Sequence, residues 1–282
     1  MDLFSLSISI VIYNPDYDIF IKTLKSVIKS CEFLGKYNKS NIKINIIDNS
    51  SKIEFQEKFL VFKNKNELFL NTKINSFQFN SFPTNPGYGI SHNYSILNSN
   101  SKYHLILNPD VILKEDTILN VLQYMESNPK TDIVTPKVFD WIDENTLTTN
   151  QQFLIKRHPT VFQLFLRGFA PQFLKNIFSN TLSYYECKDL DFSITQTNLE
   201  IVSGCFMFCK TESLKKAGGF DENFFLYFED FDLSKRIPKK DYFPEAVIYH
   251  RGGNASKKGW HHRKLFIKSA YMFFRKHGWN WF

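Results

Sequence analysis

Cysteine is sparse and unpatterned in this chain: there are four, Cys31, Cys187, Cys205 and Cys209, with no C-x-x-C pair among them. That spacing matches no common zinc module and offers no disulfide framework, so free thiols in a cytosolic protein are the expectation. No segment offers the roughly 18 uninterrupted apolar residues of a membrane-spanning helix, and any contact with a bilayer is expected to be peripheral. The start, MDLFSLSISIVIY, lacks a basic leader, and its apolar run is short and β-branched. It predicts a first strand and not a signal peptide. No internal repeat is apparent.

Apolar residues make up 43% of the 282, enough for a sizeable core in one large α/β domain or two closely joined ones. The 30 phenylalanines and 13 tyrosines are rings that must pack, stack on a ligand or lie against an apolar surface. A net charge of +7 favours anionic partners: nucleotide phosphates, lipid pyrophosphates, anionic headgroups or nucleic acid. Nucleic acid is disfavoured, because the basic residues are scattered and not gathered with aromatics into a recognised module.

Ile8 to Tyr13 is a β-branched run that stops at Asn14-Pro15, and helical spacing follows through Phe20, Leu24, Val27, Ile28 and Cys31. Ile42 to Ile47 and Tyr103 to Leu107 read as further strands, ending at Asp48-Asn49-Ser50-Ser51 and Asn108-Pro109-Asp110. Strands alternating with helices predict a parallel sheet, whose ligands bind beyond the strands' carboxyl ends. The polar clusters at those ends therefore line one candidate crevice. A helix is expected from Glu115 to Glu126, and a strand resumes at Ile133-Val134. Residues 52–82 show no clear periodicity and residues 140–200 are irregular. Within the latter, RHPTVFQLFLRGFAPQFLKNIF sets Arg157, Arg167 and Lys175 among bulky apolar residues, a pattern that fits core helices or an interfacial surface.

Several short segments carry side chains capable of chemistry. Asp48, after KINII, can accept a hydrogen bond from a base or ribose, or make an ordinary Asx-turn. In TNPGYGISHN, Gly87 and Gly89 allow close backbone approach to a ligand, or make an ordinary turn. The third glycine of a dinucleotide fingerprint and the Lys-Ser/Thr of a P-loop are missing. Asp110 in LILNPDV can hold a hard divalent cation that also binds a diphosphate, or simply close an Asn-Pro-Asp turn. In FFLYFEDFDLSKR, acids open a helix expected from Glu229 to Ile237 and Lys235-Arg236 close it, the order that the helix dipole favours. Asp230 shares the face of Leu233 and is expected to point inward, where a carboxylate with apolar walls can take a proton from an alcohol; Asp232 is spaced to pair with Arg236. The three acids can equally be a helix cap. His250 in AVIYHRGGNAS fits a buried, hydrogen-bonded histidine or a metal ligand.

In their order, SIVIYNPD, INIIDNSS, TNPGYGISHN, YHLILNPDVIL, IVSGCFMFCKTESLKKAGGFDENFFLYFEDFDLSKR and YHRGGNAS resemble the family 2 glycosyltransferases. The resemblance is to the rhamnosyltransferase-like branch that builds bacterial surface polysaccharides such as O-antigen, and it leaves residues 140–200 out. It implies a GT-A fold, an α/β architecture with a Rossmann-like nucleotide-binding sheet and an adjoining acceptor-binding half. It further implies an inverting transfer, a nucleotide-diphosphate-sugar donor such as dTDP-rhamnose or a UDP-hexose, a glycan or polyprenyl-pyrophosphate-linked acceptor, and Mn2+ or Mg2+. By position, Tyr13 and Asp48, with Asn49 beside it, match residues that hold the nucleoside. Asn85, Gly87 and Asn93 match the loop near the diphosphate and sugar. Asp110 matches the last acid of an Asp-x-Asp metal motif, with Asn108 where many relatives have the first. His250 matches a histidine that assists metal or diphosphate binding in some relatives. Asp230 matches the catalytic base, with Glu229 and Asp232 as supporting residues.

Residues 1–114 are thus expected to bind the nucleotide-sugar, residues 115–254 to bind the acceptor and carry catalysis, and residues 255–282 to form a basic amphipathic helical tail. That tail, KKGWHHRKLFIKSAYMFFRKHGWNWF, fits a terminal helix closing the core or attachment to the anionic inner face of the cytoplasmic membrane. A sugar nucleotidyltransferase and a non-catalytic glycan-binding protein are the rival functions.

Overall fold

The computed structural model describes residues 4–37, 40–50, 53–65, 74–143, 146–252 and 259–282. Its first part alternates β1 (Phe4–Ile12), α1 (Tyr17–Tyr37), β2 (Ser40–Asp48), α2 (Ile53–Lys65), β3 (Ser76–Ser81), α3 (Tyr88–Leu97) and β4 (Tyr103–Leu107). β1 is buried along almost its whole length, as a central parallel strand with both faces covered must be. α1 starts where Asp16 Oδ1 accepts the N–H groups of Asp18 and Ile19, at 3.1 and 3.2 Å, and it buries the face spaced through Phe20, Leu24, Val27, Ile28 and Cys31. The stretch 52–82, which shows no clear period, contains α2 and β3. β3 is an edge strand without a fully buried face, and α2 leans on the sheet through Phe55, Phe59 and Phe62, too few anchors to dominate its composition.

The remainder runs β5 (Val111–Leu113), α4 (Thr117–Ser127), β6 (Ile133–Asp143), β7 (Thr146–Gln151), α5 (Val161–Gly168), α6 (Gln172–Ile177), α7 (Ser179–Tyr185), β8 (Phe206–Lys210), α8 (Thr211–Lys216), α9 (Glu229–Arg236), β9 (Lys240–His250) and α10 (Gly259–His277). Among the described residues nine strands form one mixed sheet in the order β3-β2-β1-β4-β8-β6-β9-β5, with β7 on β6. β1, β2, β3 and β4 pair in parallel, whereas β8 joins β4 antiparallel and carries the sheet into the second half. Strand order departs from β1 in both directions, so a crevice opens at the carboxyl ends of β1 and β4.

α10 docks on α9 and on the chain before it. Phe273 and Phe274 are buried in a cluster with Leu164, Phe224 and Phe228. The core-closing reading of the tail therefore holds for one face of this helix.

Candidate active site

The ends of β1 and β2 bring Tyr13 and Asp48 to the crevice. Tyr13 is exposed, its ring open to a stacking partner, and Asp48 is fully buried. Asp48 makes the Asx-turn of its sequence reading and leaves one oxygen open. Its Oδ1 makes the Asx-turn, accepting the Ser50 N–H at 2.8 Å and the Ser50 hydroxyl, while its Oδ2 has no partner among the described residues. A buried acceptor left open is a cost that a ligand hydroxyl or N–H would relieve. Asn49, next to it, is engaged internally. Its amide donates to Asn85 Oδ1 (3.1 Å) and Gly87 O (3.3 Å) and accepts from Ser91 Oγ (2.8 Å), tying β2 to the following loop.

That loop is shaped by its neighbour. Asn85 Oδ1 also accepts the Gly87 N–H at 3.0 Å. Gly87 has φ 108°, and a Cβ there would lie 2.7 Å from Phe225 O; at Gly89 it would lie 2.7 Å from Phe220 Cβ. Both glycines thus admit the 220–225 segment, which the local pattern does not disclose. Asn93 is spent on the same contact: its amide donates to Phe220 O (2.8 Å) and accepts the Phe220 N–H (2.7 Å). It clamps two loops, one amide N–H and one lone pair being committed to Phe220.

β4 ends in the Asn108-Pro109-Asp110 turn. Thr23 Oγ1 donates to Pro109 O (2.9 Å), and the Arg251 N–H donates to Asp110 O (3.0 Å), so the turn is held from two sides. His250 Nε2 lies 3.5 Å from Asp110 Oδ1. Gln152, from the irregular stretch, sets the histidine's tautomer: its amide nitrogen donates to Asp140 Oδ1 (2.7 Å) and to His250 O (2.8 Å), leaving its oxygen to accept from His250 Nδ1 at 3.0 Å. The Nε2 lone pair is then directed at Asp110. A carboxylate facing an imidazole lone pair suits a divalent cation, and the hydrogen bond behind the histidine is the usual support of such a ligand. Among the described residues no group of three or more His, Cys, Asp or Glu could hold a metal, so the rest of a coordination sphere would come from a diphosphate and water.

α9 supplies the acids. Tyr227 and Phe228, just before it, both adopt left-handed backbone at φ 69° and 65°, a strained pair for aromatic residues. α10 holds them there: Tyr227 Oη meets His262 Nδ1 at 2.8 Å, Ser269 Oγ donates to Leu226 O at 2.8 Å, and Phe228 packs on Phe266 and Phe273. The turn aims Asp230 at the crevice, where its Oδ2 accepts the Gly204 N–H and its Oδ1 the Phe231 N–H, both at 2.9 Å. Burial raises the proton affinity of both Asp230 and Glu229. Glu229 rises further because it also feels the charge of Asp230, whereas two backbone donors favour ionised Asp230. The pair is arranged as one neutral acid beside one carboxylate able to accept a proton.

Asp232 belongs elsewhere. The expected pairing with Arg236 is present, Oδ2 lying 2.7 Å from Nη2, but Asp232 is fully buried and its Oδ1 also meets His277 Nε2 at 2.8 Å and Lys276 Nζ at 2.6 Å. Its Oδ2 serves Arg236 within α9 and its Oδ1 serves α10, so the geometry makes it a structural anchor and not a substrate ligand. A two-residue step along a helix turns it away from Asp230.

Tyr88 joins the two halves, its hydroxyl 2.9 Å from both Asn108 Oδ1 and Gly204 O. Burial first, and then the charges of Glu229, Asp230 and Asp110, hold its phenol protonated. Cys205 is in the same group and is no nucleophile, because burial pushes its thiol up to about 12. Sequence reasoning passed over Tyr88, Gly204, Gln152 and His277. Tyr88 and Gly204 lie inside quoted motifs and were open to notice; Gln152 and His277 act only through distant partners.

The family model described as glycosyl transferase family 2 matches residues 7–218. The rhamnosyltransferase WbbL of Escherichia coli K12 is 24% identical over 201 residues, 68% of this chain and 70% of WbbL. The Mycobacterium tuberculosis N-acetylglucosaminyl-diphospho-decaprenol L-rhamnosyltransferase is 33% identical over 85 residues, 28% of each chain. Among solved structures, GalNAc-T7 with UDP, GalNAc and Mn2+ aligns with TM-score 0.60 at 16% identity, over 87% of this chain and 43% of that one. The mannosyltransferase PcManGT of Pyrobaculum calidifontis, with GDP-Man and Mn2+, aligns with TM-score 0.58 at 13% identity, over 97% and 64%. The chain thus spans less than two thirds of either structure, and the likeness establishes the shared GT-A fold.

Proposed function

Because this chain belongs to glycosyl transferase family 2, we propose that it transfers a sugar, rhamnose or another hexose, from a nucleotide-diphosphate-sugar to a glycan or lipid-linked glycan, with inversion. The relatives named as rhamnosyltransferases support dTDP-rhamnose as the first donor to try, with UDP-hexoses beside it. The observation that carries the reading is Asp230: a carboxylate of raised proton affinity, fixed by two backbone donors, in one charged group with Asp110 across Tyr88.

In this mechanism residues 1–114 hold the donor. Tyr13 stacks on the base, Asp48 Oδ2 accepts a hydrogen bond from the nucleoside, and Asn85 and Asn108 shape the wall beside the diphosphate. Asp110 and His250 would hold Mn2+ or Mg2+, which when bound supplies neutralisation of the diphosphate's charge. Residues 115–254 hold the acceptor. Asp230 takes the proton of its hydroxyl as that oxygen bonds to the anomeric carbon, and the bond to the diphosphate breaks with its electron pair leaving on the nucleotide. Glu229, kept neutral, adds no second charge to repel the nucleophile. An acceptor carried on polyprenyl pyrophosphate would place the enzyme at the cytoplasmic face of a membrane.

The test is a panel of dTDP-rhamnose and UDP-hexoses with Mn2+ or Mg2+, scored for sugar transfer and slow hydrolysis. Release of pyrophosphate instead would indicate nucleotidyl transfer. Asp230→Asn is expected to lower kcat at least ~10²-fold with donor affinity kept, the ordinary effect of losing a general base. Undiminished turnover would remove Asp230 from that role.

A further inference from the structure

The net positive charge of this protein comes from two segments. From Gln152 to Tyr185 and from Arg251 to Phe282 there are twelve Lys and Arg and not one Asp or Glu; the remaining sequence has 23 against 28, a net charge of −5. The fold brings these segments together. The Val161 N–H donates to Asn280 O (2.8 Å) and the Phe162 N–H to Trp281 O (3.2 Å), laying the chain's last residues along the start of α5. The Phe162 ring touches Phe178 on one side and Phe282 on the other. Trp281 stacks on Trp279, which meets Tyr271 of α10.

α10 has a second face, opposite the one docked on α9. Trp260, Lys264, Ile267, Tyr271 and Arg275 recur at helical spacing and are all exposed. On α6 and at the end of the described chain, Phe173, Ile177 and Phe282 are 63%, 68% and 91% exposed. Among the described residues Lys264, Lys268 and Arg275 make no ion pair. Exposed hydrocarbon in such amounts, fringed by tryptophan and cations, is rare on a surface that meets only water.

We infer that this joined surface, α5, α6 and the outer face of α10 with the residues after it, docks on an anionic lipid bilayer. The charge favours it: α5, α6 and the outer face of α10 contribute Arg167, Lys175, Lys264, Lys268 and Arg275 and no carboxylate of their own, with Glu186 beside Arg167 offsetting part of that excess, and anionic headgroups complement the remainder. The side chains favour it too, because Phe and Ile enter acyl chains while Trp, Tyr and Lys reach the headgroups. A second copy would bring two surfaces of like charge together, and a nucleic acid would leave Ile177 and Phe173 without an apolar partner. No donor and no turnover is required, so this inference and the transfer reading fail separately.

The test uses the full chain with vesicles of phosphatidylcholine, alone or with about one third phosphatidylglycerol. Sedimentation with the anionic vesicles only, declining with salt, is expected. Substituting Lys264, Lys268 and Arg275 together by Gln should lower partitioning about 100-fold, since each such cation near an anionic surface contributes about fivefold. Brominated phosphatidylglycerol should quench the exposed Trp260, Trp279 and Trp281, a readout on the parent protein that stands even if the triple variant misfolds. Absence of sedimentation, binding indifferent to charge and salt, or no quenching would overturn the inference. So would self-association through this face without vesicles, or binding to a single-stranded RNA that abolishes vesicle binding at catalytic concentrations of protein.

Discussion

Asp48 and Asp230 stand on opposite sides of one crevice and are held there by different means. Asp48 closes a parallel ladder in which β1 and β2 pair residue by residue from Phe4 with Ser40 to Ile12 with Asp48, so backbone hydrogen bonds place it. Asp230 opens an eight-residue helix, too short to stand alone, behind two strained residues. Its position depends on side chains that arrive from α10, far along the chain: His262, Phe266, Ser269, Phe273 and His277. One side of the crevice is a property of the sheet. The other is a property of how the C-terminal helix docks, and damage to that docking should reach the chemistry without touching the crevice.

Asp232→Ala is expected to have the largest effect. It removes the buried partner of His277 and Arg236 and leaves Lys276 with Asp221, and a loss of about 3 kcal/mol is expected, the low end for a broken buried pair because Lys276 and Arg236 keep some contact with water. Thermal melting should fall by about 10 °C. Where the variant is still folded, kcat should fall while donor affinity, held on the Asp48 side, does not. Asp48→Ala should show the reverse, costing about 1 kcal/mol of stability but weakening the donor. Equal melting temperatures for the two variants would mean that both sides support themselves.

Gln152→Ala tests a dependence on distant partners within the sheet's own half of the comparison, since His250 ends a strand but takes its tautomer from a residue outside the motifs. Mn2+ affinity in the presence of a nucleoside diphosphate, followed by calorimetry, should drop by ~10–100-fold, as for other second-layer partners of a ligating histidine. Unchanged affinity would leave Gln152 a packing residue.

The smallest effect is expected at Glu229. Its folded proton affinity is raised, so the native state binds a proton that the unfolded chain releases at lower pH, and stability declines as pH climbs from the ordinary carboxylate range through the raised value. Glu229→Gln removes that loss. Its advantage in melting temperature over the parent should be small near pH 5 and larger near pH 8, where an ordinary carboxylate has long been ionised. An advantage that shrinks with pH would reverse the assignment of the neutral acid.

The motifs were legible where function follows from local order. Asp48, Asn108 and Asp110 lie directly after apolar runs, and such runs can only be strands of a covered sheet, whose ends face a crevice. Asp232 was legible in part. The four-residue interval predicts its Arg236 partner, but an interval says nothing of burial, and an acid expected to support the base also joins α9 to α10 through His277 and Lys276. The middle of the chain read as formless because α5, α6 and α7 are short and lie partly exposed, which dilutes any helical period.

By itself the sequence determined the parallel half of the sheet, the place of the crevice and the acids that reach it, because these follow from periodicity and from backbone pairing between runs that can be read one at a time. That Asp232 is sealed, that Gln152 stands behind His250, and that two segments without carboxylates meet are outcomes of the tertiary structure. Those outcomes depend on contacts between residues far apart in the chain. A side chain's burial, tautomer and charge environment are set by whatever packs against it, and no local pattern encodes that neighbour.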